Sequence, residues 1–137
     1  MASREVALEV EKSRGPFKVS RLAAEAASAA MLDADGWMAG SVAECVRNRD
    51  RLWSEIEGRG LRPFESRANF ILFAAPCGSA GDDAFALRQA GVAVRPFSDM
   101  PGIDEGLRVT VGPWPLMTRF LEALDGRIDS LADEAVS

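Results

Sequence analysis

Arginine is the side chain of this sequence best placed to do chemistry. Arg95 ends the run VAVR, and Arg108 lies inside LRVTV, thirteen positions later. Leu107, Val109 and Val111 alternate with Arg108 and Thr110, so a strand here sends its aliphatic side chains to one face and Arg108 to the other. A guanidinium is a planar fork of donors that stays charged at any working pH, and two of them at neighbouring strand ends suit a clamp on one carboxylate or phosphate. Asn69, the one polar residue of the apolar run ANFILFA, is the third candidate, either satisfying local backbone groups or reaching a ligand. Taken alone the pattern favours a plainer reading. An arginine on the open face of a small sheet is ordinarily solvated, with its stem lying on apolar neighbours.

The remaining chemical inventory is narrow. There is no histidine, which removes the usual general acid and base at neutral pH and the commonest metal ligand, and there is no tyrosine. Lys12 and Lys18 are the only lysines, and Cys45 and Cys77 lie far apart without a CxxC spacing, so both are expected as free, mostly buried thiols. Arg47, Arg49 and Arg51 form a basic cluster, but Glu55 stands four residues from both Arg51 and Arg59, the arrangement of a solvated helical face. GSAG (Gly78 to Gly81) lacks the lysine and spacing of a phosphate loop and reads as a turn. Sixteen basic against 21 acidic residues give a formal charge of −5, which argues against nucleic acid or an anionic membrane as the main partner. No apolar run is long enough to span a bilayer and the N-terminus is charged throughout, so a cytoplasmic protein is expected.

The elements that must position these residues follow from periodicity and punctuation. Ser3 caps a helix to about Lys12, closed by Gly15-Pro16; RGPFKVS is extended, and Ser20 caps an alanine-rich helix from Arg21 to about Leu32. Asp35-Gly36 breaks the pattern. A long helix then runs to about Arg59 with Met38, Val42, Cys45, Leu52 and Ile56 on one face and Trp53 in core or interface, spanning roughly 35 Å at ~1.5 Å per residue. The nearly continuous apolar run from Ala68 to Ala74 predicts a strand covered on both faces. A short helix from an Asp82 N-cap to Ala90 follows, then the strand VAVR, stopped by Pro96, then LRVTV. VAVR and LRVTV are expected to pair antiparallel, and the strand–helix–strand from Ala68 to Val94 suits a crossover. Pro113 and Pro115 open a last helix, Leu116 to about Leu131, beyond which DEAVS frays. The expected class is α+β: a small sheet of about three strands with helices packed on it, preceded by a long helix. With 137 residues, one domain is expected.

Four blocks, ANFILF, FALRQAGVAVRPF, LRVTVG and RFLEAL, together with RGPFKVS before an alanine-rich helix, resemble in order and spacing the C-terminal part of histidinol-phosphate aminotransferases, class I/II enzymes that use pyridoxal 5'-phosphate. The resemblance covers nearly the whole chain. It implies that Arg108 receives the substrate's acidic group with Arg95 beside it; Asn69 stays a substrate-binding candidate on its place in the strand alone. It also implies a small C-terminal domain, with residues 1–35 as a helical lead-in from a large domain. The family's SK-containing lysine motif and GxRxG-like turn have no counterpart, Lys18 stands where the family usually has asparagine, and GPWP replaces its threonine and acidic residues. The chain is therefore expected to be the substrate-anchoring portion of such an enzyme. The parent would take an amino acid or a phosphate-bearing amine, whereas this chain alone is expected to bind no cofactor and to be inactive. It is also expected to form a homo-oligomer, because apolar helix faces would be left uncovered. The alternatives are an autonomous anion-binding or regulatory module, and a structural remnant that dimerises.

Overall fold

The computed structural model describes residues 3–13, 19–32 and 36–136. The expected Gly15-Pro16 stop, the extended stretch Arg14 to Lys18 and the break at Asp35 lie outside the described residues. The chain divides into two compact units, Met1–Ala39 and Gly40–Ser137, with the division falling inside the third helix.

The first unit contains α1 (Arg4–Lys12) and α2 (Arg21–Leu32). Ser3 and Ser20 are their N-caps, their hydroxyls accepting from the amides of Val6 at 3.4 Å and Ala23 at 3.1 Å. Each cap satisfies one of the donors that the first helical turn leaves unpaired. Neither helix buries a residue: Val6, Leu8 and Val10 of α1 and Leu22, Met31 and Leu32 of α2 all face solvent.

The second unit holds most of α3 (Trp37–Gly58), then β1 (Phe70–Ala74), α4 (Ala80–Gln89), β2 (Arg95–Met100), β3 (Asp104–Thr110) and α5 (Trp114–Val136). The sheet order is β1-β3-β2, and both outer strands run antiparallel to the central β3. β1 and β2 are thus parallel to each other with β3 between them, and α4 carries the crossover. Period-two alternation sends Ile71, Phe73, Leu107 and Val109 to one face, where they form the core with Leu52 and Ile56 of α3, Leu87 of α4 and Met117, Phe120 and Leu124 of α5. Phe73 and Phe120 meet edge to face, their centroids 6.1 Å apart. Each such side chain contributes roughly 1.5–3 kcal/mol on full burial, so this face holds the unit together.

Polar ties fix the helices onto that layer. Arg59, at the end of α3, donates to Asp125 of α5 at 2.6 and 3.0 Å and to Glu55 at 2.9 Å. Arg127 of α5 donates at 2.8 Å to the fully buried carboxylate of Asp83 in α4, which also accepts from the Cys77 amide at 3.0 Å. Arg127 is held more strongly protonated than usual, first by its hydrogen bond to Asp83, with burial opposing and Cys77 adding to the effect. Glu105 of β3 accepts from the Ala80 amide at 2.7 Å, locking the start of α4 to the central strand.

Several expectations need correction. The second strand is not VAVR ending before Pro96; it begins at Arg95 and runs through Pro96 to Met100. The physical reason lies in the ladder. Odd-numbered residues at both ends of β3 bond the β1 side, as Val111 and Glu105 do with Asn69 and Ala75. Pro96 is level with odd-numbered Leu107, so its donor-less nitrogen points to the free outer edge. β1 is covered on one face only, Phe70, Leu72 and Ala74 being half-buried on the other. α4 is capped by Ser79, whose hydroxyl accepts from the Asp82 amide at 3.3 Å, which places Asp82 within the first turn. The segment Asp133 to Val136 continues α5 rather than fraying. Cys45 and Cys77 are free and half-buried.

Candidate functional site

The outer face of the sheet is where the arginines meet. β3 presents Gly106, Arg108 and Thr110 there; β1 adds Phe70, Leu72 and Ala74, and β2 adds Arg95 and Phe97. Register places Arg108 directly opposite Arg95 on one side and opposite Leu72 on the other, so Leu72, Arg108 and Arg95 form one row across the three strands. Directly opposed residues share a face with Cβ atoms ~4.5–5.5 Å apart. Arg95 is exposed and Arg108 half-buried.

The two guanidinium groups are held by rings rather than by acids. Arg108 lies over Phe70 at 4.9 Å and over Phe97 at 5.8 Å, and Arg95 lies over the same Phe97 at 5.2 Å. Among the described residues neither arginine pairs with a carboxylate. Like charges directly opposed in a sheet are destabilising, and two unit charges 4 Å apart repel by about 1 kcal/mol even in bulk water. A solvated arginine with a nearby acid would not carry that cost. Two uncompensated cations on an apolar platform, open to solvent and backed by a rigid sheet, suit an incoming anion.

Asn69 stands one residue before β1, exposed, with its carbonyl accepting from the Val111 amide at 2.8 Å. It lies three positions from Leu72, about 10 Å along an extended chain, and no hydrogen bond of its side chain is found among the described residues. The structure brings Arg95 and Arg108 together and leaves Asn69 apart from them, because the alternation that turns Phe70 and Leu72 to the arginine face puts Asn69 in phase with Ile71 and Phe73 on the other.

The hairpin that carries the pair is irregular at its tip. The register shifts between Phe97 and Met100, and Asp99 and Asp104 adopt φ of 56° and 63°. Aspartate tolerates this left-handed region better than most residues, and Gly102 at φ 82° completes the turn. Under the row, Gly106 leaves little space: a Cβ there would stand 3.2 Å from both Leu72 Cδ1 and Ile103 Cγ2.

The arginine cluster of α3 resolves into separate roles. Arg51 stacks over Trp114 at 3.6 Å rather than pairing with Glu55. Arg49 is not a solvated residue: its side chain is 16% exposed, donates to Asp50 at 2.9 and 3.1 Å, and lines a groove of about 710 Å³ with Trp53, Ser54 and residues 65–67. That groove went unread in the sequence, because its walls join α3 to a loop that periodicity does not place.

A pyridoxal phosphate site does not fit the described residues. The one lysine among them, Lys12, is exposed on α1 with its ammonium 2.6 Å from Glu9, and Lys18 lies outside them. No group of acidic or thiol side chains among the described residues is arranged to hold a metal ion, and none of the helices described is long and apolar enough to cross a membrane.

Comparison with known proteins gives one consistent result. The family model for aminotransferase class I and II matches residues 1–124. A histidinol-phosphate aminotransferase of Gluconobacter oxydans is 36% identical over 85% of this chain and 32% of its own length, and one of Aquifex aeolicus is 33% identical over 93% of this chain and 36% of its own. Among solved structures, the histidinol-phosphate aminotransferase of Sinorhizobium meliloti in complex with pyridoxal-5'-phosphate superposes with a TM-score of 0.71 at 26% identity, covering 93% of this chain and 35% of that one. The Clostridium acetobutylicum enzyme shares the fold with a TM-score of 0.76 at 23% identity, covering 93% and 39%. The chain spans about a third of the length of these relatives.

Proposed function

This chain belongs to the class I and II aminotransferases, and from that premise we propose that it is the substrate-anchoring small domain of a histidinol-phosphate aminotransferase-like enzyme. Residues 1–35, which include α1 and α2, serve as its lead-in from a large domain. The single observation that carries the proposal is the Arg95–Arg108 pair, opposed across β2 and β3 on an open face with no carboxylate partner among the described residues. Each guanidinium offers a fork of N–H donors to a phosphate or carboxylate, and a charge-assisted hydrogen bond contributes roughly 1.5–3 kcal/mol. Anchoring the acidic end of an amino acid or phosphate-bearing amine fixes where its other end stands. The cofactor's chemistry belongs to the parent enzyme, and this chain alone carries out no transamination.

The reading is tested on the isolated chain by titrating inorganic phosphate and following the Nε–Hε resonances of its arginines. Arg95 and Arg108 shift and saturate together while exposed Arg119 does not respond; no saturable shift at either strand arginine overturns the reading. A visible absorption band that survives dialysis from pyridoxal phosphate, is removed by borohydride and maps to Lys12 or Lys18 contradicts the assignment of the cofactor to the parent alone.

A further inference from the structure

We propose that Phe97 is a positioning residue that holds Arg95 and Arg108 together in the orientation that receives an anion. The inference rests on the anchoring reading above and adds a residue that the sequence patterns did not single out. Phe97 lies on the same face as the pair, two residues beyond Arg95 on β2 and opposite Gly106 on β3. Among the described residues its ring is the one aromatic surface within reach of both cations, 5.2 Å from Arg95 and 5.8 Å from Arg108, while Phe70 supports Arg108 alone at 4.9 Å. These distances lie within the range over which a ring face attracts a guanidinium.

The choice of a ring follows from what the site must do. Two long, flexible, like-charged side chains repel each other, and each loses rotamer freedom when it grips a ligand. A carboxylate between them would remove the repulsion, but it would occupy the same N–H donors that the ligand needs and would cancel the charge that attracts it. A phenyl face steadies the cations through its electrostatic field and uses none of those donors. Gly106, directly opposite Phe97 on β3, brings no side chain to this position, and the space a Cβ would take there is already closed by Leu72 and Ile103. Phe97 thereby orders the pair in advance and leaves its N–H edges free.

The test uses the isolated 137-residue chain, inorganic phosphate as the probe, and the arginine Nε–Hε signals as the readout. Phe97→Leu keeps an apolar side chain without the ring and weakens phosphate binding by roughly three- to tenfold, whereas Phe97→Tyr keeps the ring and stays within about twofold of the wild type. In the wild-type chain without phosphate, the Nε–Hε heteronuclear NOE of both strand arginines exceeds that of Arg119. Equal phosphate affinity in wild type and Phe97→Leu overturns the positioning role while leaving the anchor intact. If the wild type binds no phosphate, the anchoring reading fails. The NOE still judges Phe97 in that case, and in a chain whose Leu variant does not fold: strand arginines as mobile as Arg119 refute the role.

Discussion

Replacing Arg127 with methionine removes the guanidinium that faces the buried carboxylate of Asp83 and keeps a long apolar stem. The magnitude follows from the geometry. Asp83 is 0% exposed and loses its 2.8 Å partner, keeping only the Cys77 amide at 3.0 Å. An uncompensated buried charge costs roughly 3–5 kcal/mol, a large part of the stability of any small domain. With a urea dependence of about 1–1.5 kcal/mol/M for a unit of this size, the unfolding midpoint falls by roughly 2–5 M. Arg127→Lys, which restores charge but not the fork, recovers part of that loss. The assay is urea unfolding followed by far-UV circular dichroism at neutral pH. Because α4 carries the chain from β1 to β2, the loosened α4–α5 contact also broadens the Arg95 signal. A midpoint within 0.5 M of the wild type, about half a kcal/mol, would refute the claim that this pair fixes α4.

Ser79→Ala removes the cap of α4 and destabilises by about 1 kcal/mol in the same unfolding assay, whereas Asp82→Ala has the smaller effect expected of a first-turn acid near a helix dipole. Gly106→Ala drives a Cβ to 3.2 Å from Leu72 and Ile103 and costs roughly 1–3 kcal/mol, with chemical-shift changes reaching Arg108 through Leu72. The exposed apolar residues of α1 and α2 favour self-association. Sedimentation velocity over a tenfold concentration range is expected to show a species larger than a monomer, and a clean, concentration-independent monomer contradicts this.

The legible parts of this fold were those where one local signal decides the outcome. The alternation of Leu107, Val109 and Val111 around Arg108 fixed the inner and outer faces of β3, and Ser3 and Ser20 marked their helix starts because each is the only cap-type residue at that point. β2 was misplaced because RPFSDM has no apolar alternation and holds a proline; it becomes a strand only because β3 offers a ready ladder and Pro96 faces the free edge. Ser79 and Asp82 are both cap formers, and only backbone geometry separates them. The arginines were recognisable as a pair, but their direct opposition depends on a register set by the irregular Asp99–Asp104 hairpin. Phe97, and the Arg127–Asp83 contact between α5 and α4, depend on tertiary placement that no window of sequence contains.

The central claim is that Arg95 and Arg108 form an anion anchor, and substitution at the half-buried member of the pair tests it most directly. Arg119, exposed and without an ion pair among the described residues, is the control, because Arg49 is tied to Asp50 in a groove. Phosphate titration of the isolated chain is expected to give a dissociation constant on the order of 1 mM, as suits an open two-arginine site. Arg108→Lys replaces the fork with a point charge and weakens binding about tenfold, while Arg119→Lys leaves it within twofold. Equal, small effects of the two substitutions would contradict the account and leave Arg108 as a solvated strand arginine.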